Sequence, residues 1–180
     1  MILLFPLIGM EYNGLSIHFG DGEETVSRVL GEPDARQGRR CYYCNHELAL
    51  DFDAEGGVEF IEFLGGADSA LRPELYGQDV FEADADELLS ILLERNGTDV
   101  DDSEAGYSYA LRRLSIGLYR EITPDDVNAM LKEMCNMDLT QMGVWTLKRS
   151  RKKPAIGAPL ALVGQTIMDK RGTLWNFLSF

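Results

Sequence analysis

No apolar run in this chain approaches the roughly 20 residues that a membrane-crossing helix needs. The apolar opening "MILLFPLIGM" has no basic stretch ahead of it and no small-residue cleavage site behind it. It reads as a first strand rather than a signal peptide, and the expected compartment is the cytoplasm. Cysteine is scarce, at three residues, and an odd number does not suggest a disulfide framework. Histidine is scarcer, at two. There is no G-x-S-x-G and no G-x-x-x-x-G-K-[ST], and "GDG" and "LGG" are too short for a dinucleotide fingerprint. His18 lies between Ile17 and Phe19 and faces away from both, as an edge or surface residue does. These absences argue against an enzyme and against a bound cofactor.

What is abundant is negative charge. The net charge is −13, and it is unevenly placed. Residues 1–147 hold 10 basic and 29 acidic residues, a balance of −19; residues 148–180 hold 7 basic and 1 acidic, a balance of +6. An acidic body disfavours nucleic acid, which is bound by exchanging counterions for Lys and Arg. It favours a basic protein partner through steering, although acidity also serves solubility alone. The length of 180 residues suits one domain with a substantial core, or two small modules sharing one.

The chain repeats a pattern. In "FGDGEETVSRVLGEP" (19–33), Asp21 and Glu24 have capping-box spacing. Val26, Val29 and Leu30 make an apolar stripe, and Gly31 and Pro33 stop the helix. In "FEADADELLSILLERNG" (81–97), Asp84 and Glu87 repeat the cap. Leu88, Leu89, Ile91 and Leu92 supply the apolar face, and Asn96 and Gly97 end it. A strand pattern follows each helix: "CYYCNHELALDF" (41–52), then "YSYALRRLSIGL" (107–118). Matching Leu48 to Leu114 sets Tyr43 on Tyr109, Leu50 on Ile116 and Phe52 on Leu118. "VEFIEF" (58–63) adds the second strand of a hairpin in the first half only.

A third helix is expected over 123–136, capped by Thr123 with Pro124 in its first position. Val127, Met130, Leu131 and Met134 form its apolar face, with Cys135 at the edge, and that face reads as core. The predicted fold is α+β. Two tandem β-α-β(β) modules, about 11–66 and 78–120, share a mostly antiparallel sheet backed by helices. Residues 1–147 form the domain. The core comprises Phe19, Val26, Val29, Leu30, Leu48, Leu50, Phe52, Leu88, Ile91, Leu92, Leu114, Ile116 and Leu118. Residues 148–180 open on the basic run "KRSRKK" and continue in proline, glycine and small apolar residues. They admit three readings: a packed hairpin, a flexible tail, or a frame-shifted end.

"GLSIHFGDGEETVSRVLGEPD" (14–34) followed by "LALDFDAEGGVEFIEF" (48–63) resembles a group of small, uncharacterised bacterial proteins. These have a glycine-led strand, a helix ending in Leu-Gly-x-Pro and a strand pair. Phe19, Gly20, Val26 and Arg28 fit their pattern; the basic C-terminal segment departs from it. The helix-then-strands unit used twice is also similar to the BamE-like and beta-lactamase-inhibitor-protein architecture. That likeness implies a curved sheet whose face binds protein, and small acidic proteins of this kind imply an immunity-type inhibitor of a toxin.

Two constellations have the look of sites. Cys41, Cys44 and His46 have half the look of a metal centre, but zinc takes four ligands and only His18 and Cys135 remain. They read as plain strand residues, and no metal is expected. Asp51 and Asp53 alternate on one strand, as an acid/base pair or cation ligands would, or as a solvated strand face does. A small metal-dependent hydrolase built on them is one alternative reading, and a general interaction domain of unknown role is the other. "DADADE" lacks the spacing of a calcium loop. The leading expectation is a non-enzymatic binding module. Asp51, Asp53, Asp99, Asp101, Asp102 and Glu104 would face a basic protein partner, with neither nucleic acid nor membrane involved. The sequence leaves the oligomeric state open.

Overall fold

The computed structural model describes residues 1–66, 68–104, 106–120, 123–136 and 166–169. The chain begins with strands β1 (Ile2–Phe5), β2 (Gly9–Tyr12) and β3 (Leu15–His18), then helix α1 (Glu23–Leu30). Next come β4 (Ala35–Gln37), β5 (Arg40–Tyr43), β6 (Leu48–Phe52) and β7 (Val58–Phe63). After β8 (Pro73–Leu75) and β9 (Gln78–Asp79) the chain enters α2 (Ala85–Asn96). It continues through β10 (Val100–Asp101), β11 (Ser108–Leu111), β12 (Ile116–Tyr119), α3 (Pro124–Asn136) and β13 (Thr166–Asp169).

The fold is α+β, as expected. Eight strands form one sheet in the order β10-β11-β12-β13-β7-β6-β5-β4, with every pairing antiparallel. Five more form a smaller sheet, β3-β2-β1-β8-β9, in which β1 and β8 run parallel. The smaller sheet has no counterpart in the sequence pattern. It uses the apolar opening and the stretch 73–79, whose strands of two and three residues are too short for a period-2 signal. Ile2, Leu4, Met10, Ile17 and Leu75 from this sheet join α1, α2 and one face of the large sheet in a single core.

The strand expected over 41–52 is a hairpin. Cys44, Asn45 and His46 all take positive φ (57°, 58° and 67°), so a four-residue turn separates β5 from β6. Asn tolerates that conformation, which costs most other residues energy. Asp34 helps to hold it, accepting the His46 amide at 3.2 Å. The strand expected over 107–118 breaks the same way, with Arg112–Ser115 as the turn between β11 and β12. Aligned on the pairs that close their turns, Tyr43↔Leu48 and Leu111↔Ile116, the hairpins match Leu48 to Ile116 and Tyr43 to Leu111. That is two residues from the match made on the sequence. A shift of two preserves the inward face, so Ile116 and Leu118 remain core at 2% and 3% exposure. Leu114 falls in the turn and is only partly buried, and Ile91 lies outside the core cluster.

The helix ends also differ from the sequence reading in part. Asp84 caps α2, accepting the amides of Asp86 (3.0 Å) and Glu87 (3.1 Å). Gly97 closes α2 at φ 74°, where its amide reaches the Leu93 carbonyl. At α1 the cap is Gly22 with no side-chain bond, and Asp21 instead accepts the His18 amide at 2.7 Å. At α3, Thr123 and Asp126 form the reciprocal capping box. Asp126 accepts the Thr123 amide (2.8 Å), and Thr123 Oγ1 accepts the Asp126 amide (3.3 Å).

α3 is not packed as the sequence suggested. Met130 and Leu131 are each 53% exposed, so the apolar face is not core along these residues. The helix is anchored by its first turn, where the Tyr107 hydroxyl donates to Asp126 at 2.8 Å. The side chains of Met134 and Cys135 lie outside the described residues. So does most of 148–180, from which Thr166–Asp169 supplies the strand between β12 and β7.

Candidate functional site

The large sheet separates the two groups of acids proposed from the sequence. Asp51 is on β6 and Asp101 on β10, five strand spacings apart, or about 24 Å. The six carboxylates therefore fall into two separate groups.

Asp51 and Asp53 do not form a pair either. The register shifts between Asp51 and Phe52, at the end of β6. Asp53 builds the following turn, its Oδ1 accepting the amides of Glu55 (3.1 Å) and Gly57 (2.9 Å). Asp51 points to the outer face, where Arg40 donates to it at 3.1 Å. The same guanidinium pairs with Glu62 of β7, which is 1% exposed. Burial pushes the Asp51 carboxyl up and the Arg40 charge pulls it back, leaving it above the usual aspartate range. This outer face is not the solvated one the sequence suggested: Ala49 and Phe60 beside the cluster are 0% and 5% exposed. The cluster fastens three strands together, and nothing in it presents two free carboxylates to a water or a substrate.

The C-x-x-C residues also separate. Cys41 is on β5 and fully buried in the core, where burial pushes its thiol up. Cys44 sits in the turn against Tyr12, and burial raises its thiol also. Neither is held as a thiolate, the form that binds metal. His46 is in the exposed turn rather than on a strand, its ring 5.7 Å from that of Tyr42. Among the described residues no three His, Cys, Asp or Glu side chains converge as metal ligands.

The second acidic group is better assembled. Arg112 in the β11–β12 turn pairs with Asp101 at 2.9 Å and Asp99 at 3.5 Å, pinning β10 to the hairpin. The Asp101 Oδ1 also accepts the Ser103 amide. With the Ser103 bonds as the main cause, its carboxyl lies below the usual range. Glu104 accepts from the Ser108 hydroxyl at 2.5 Å, and Asp102 is exposed. The loop then reaches Tyr107, whose bond to Asp126 ties it to the start of α3. Asp126 is held low by the Thr123 amide first, then by the Thr123 and Tyr107 hydroxyls.

A feature that sequence reasoning missed lies beside this loop. A shallow cleft with an interior of about 10 Å³, roughly the room of one water molecule, is walled by Ala85 and Leu89 of α2, Tyr107 and Tyr109, and Leu118 and Arg120. Arg120 is 8% exposed, and its Nε donates to the Gly106 carbonyl at 2.5 Å. No carboxylate among the described residues forms an ion pair with it. Two tyrosines and an arginine at inward positions of a strand pair were the available signal, masked because "YSYAL" also reads as ordinary strand.

No family model matches the chain, and neither the curated proteins nor the solved structures yield a match. Among the described residues no helix is long and apolar enough to cross a membrane.

Proposed function

We propose that the protein is a non-enzymatic binding module that captures a basic protein partner by occupancy, as an immunity-type inhibitor of a basic toxin does. The contact is made at the β10–β11 end, not at the middle of the sheet. One observation carries this reading. The acids around Asp99–Glu104 outnumber the single Arg112 that neutralises them, and Asp102 and Glu104 remain exposed. Such a patch attracts a basic surface and sets the rate and selectivity of encounter. By contrast, the acids at Asp51 and Asp53 are consumed by Arg40 and by the turn, which removes the support for hydrolysis on that strand. The likeness to BamE-like tandem modules belongs to this proposal: a helix followed by an antiparallel meander occurs with α1 and again with α2.

The test is native mass spectrometry of the protein purified from its host cells, followed by titration of whatever basic protein accompanies it. A one-to-one complex is expected. Its affinity should fall steeply between about 50 and 500 mM salt, and Asp102→Lys with Glu104→Lys should weaken it further. Affinity indifferent to both salt and these substitutions rules the proposal out.

A further inference from the structure

We propose that Arg40, Asp51 and Glu62 form a proton-operated latch on the outer face of the large sheet. A protonated Asp51 stays within the cluster, and an ionised Asp51 leaves it for solvent. The latch spans β5, β6 and β7, away from the β10–β11 end, and does not rest on the partner reading.

The count of charges carries the inference. Among the described residues, Arg40 is the one cation that either carboxylate touches. Its guanidinium donates to Asp51 at 3.1 Å and pairs with Glu62, and the Tyr42 ring lies 5.4 Å from it. Glu62 is 1% exposed, so as an ion it depends on Arg40. The Asp51 Oδ1 is also shut away from water, with no hydrogen-bond partner. Two ionised carboxylates on one guanidinium leave a net negative charge in a buried place, and a proton on Asp51 removes it. Other charged groups nearby do not restore the balance. Arg39 favours the ionised form of Asp51, but Glu59 opposes it. The next strand, β13, brings a further acid, Asp169, into register with Phe60. Burial is the largest influence on Asp51, and its carboxyl lies above its ordinary 3.8.

Asp51, not Glu62, is the group that can leave. The Asp51 side chain is 27% exposed and stands where the register of β6 on β7 shifts. Such an irregularity loosens a strand locally and lets it re-aim a side chain. Glu62 stands in the regular part of the ladder, opposite Ala49. When Asp51 gives its proton to water and turns outward, Arg40 and Glu62 remain as a one-to-one pair. The end of β6 then loses its side-chain tie to β5.

Carboxyl carbon NMR of the full chain, followed across pH, tests the proton. Asp51 is expected to titrate above 3.8. Glu62→Gln, which leaves Arg40 to Asp51 alone, should bring that titration down. A parent Asp51 that titrates at or below 3.8 overturns the proposal without recourse to any variant. Amide exchange tests the movement. The Phe52 amide, next to Asp51, donates to the Arg39 carbonyl at 3.0 Å. Its protection factor should fall as pH rises through the Asp51 titration, by up to about tenfold per pH unit, the limit for one proton. In Asp51→Asn, which cannot ionise, it should stay level. A level protection factor in the parent overturns the latch even if Asp51 holds its proton. A fall that persists in Asp51→Asn assigns the opening to another group and overturns it as well.

Discussion

In the hairpin β5–β6, Cys41, Tyr43, Leu48, Leu50 and Phe52 face the core, and none is more than 2% exposed. In β11–β12, the corresponding face is Tyr109, Leu111, Ile116, Leu118 and Arg120, and it leaves a cleft. The second hairpin is strapped by polar groups instead. Asn96, fully buried at the end of α2, donates to the Asp99 carbonyl at 2.7 Å. Its Oδ1 accepts the amides of Arg113 and Leu114 at 3.0 and 3.1 Å. Arg112 ties the turn to β10, and Arg120 ties β12 to Gly106. Directional bonds can hold a hairpin in place without filling every space beside it, whereas close packing cannot leave a void without loss. The second hairpin can therefore keep an open surface at its end, and the first cannot.

The sharpest way to break this contrast is at the charge cluster on the outer face of the first hairpin. Arg40→Ala leaves Glu62 buried beside no cation and should cost about 3–5 kcal/mol in urea unfolding. Leu50→Ala should cost about 2–5 kcal/mol, because a fully buried side chain leaves a cavity. Leu89→Ala, at the cleft, should cost clearly less. Equal losses at Leu50 and Leu89 would mean that the two hairpins are packed alike and that the cleft is closed in solution.

How much of this was readable beforehand follows from the same contrast. The inward set Leu48, Leu50 and Phe52 was legible because burial imposes a period of two. The turn at Cys44–His46 was not, because "CYYCNHELALDF" carries no glycine or proline and places its break on residues that read as strand. The acids at 99–104 were legible as a cluster. Their division of labour was not, since pairing with Arg112 or Ser108 is settled by the register of β10 on β11. The separation of Asp51 from Asp101 depends on strand order, which no local pattern encodes. Asn96 looked like a stop signal; its clamp on a turn 17 residues further on is a tertiary fact.

That clamp gives the next prediction. Asn96→Ala strands two amides of the β11–β12 turn and should cost about 1–3 kcal/mol. Asn96→Asp keeps the acceptor and should recover part of it. Hydrogen exchange at Arg113 and Leu114 reports the effect directly, and unchanged protection there would show that the turn does not depend on α2. Asp84→Ala should cost about 1 kcal/mol by uncapping α2, whereas Glu24→Ala at the uncapped α1 should change stability by a few tenths at most. A reversed order of those two in thermal unfolding would contradict the cap assignments.

The smallest expected effect is a slope rather than a loss. Burial pushes the Glu47 carboxyl up, but bonds from the Ser69 hydroxyl (2.6 Å) and the Ala70 and Leu71 amides (3.1 and 2.8 Å) outweigh it and hold it below its ordinary value of 4.5. A depressed carboxyl binds fewer protons folded than unfolded. Its stabilisation is present above pH 4.5 and is lost as pH falls through the lower folded value. Asp51 acts in the opposite sense, because its folded carboxyl is raised. Its contribution is present below its ordinary 3.8 and is lost as pH rises through the folded value. Glu47→Gln should therefore flatten the acid-side fall in stability, and Asp51→Asn should steepen it. Glu47 fastens the Ser69–Leu71 segment to the first hairpin, while Asp51 shares one guanidinium with the buried Glu62. Acid titration of the two variants by circular dichroism thus separates a carboxylate that the fold uses ionised from one that the fold holds against its charge. Parallel curves for both variants and the parent would show that neither group is linked to folding.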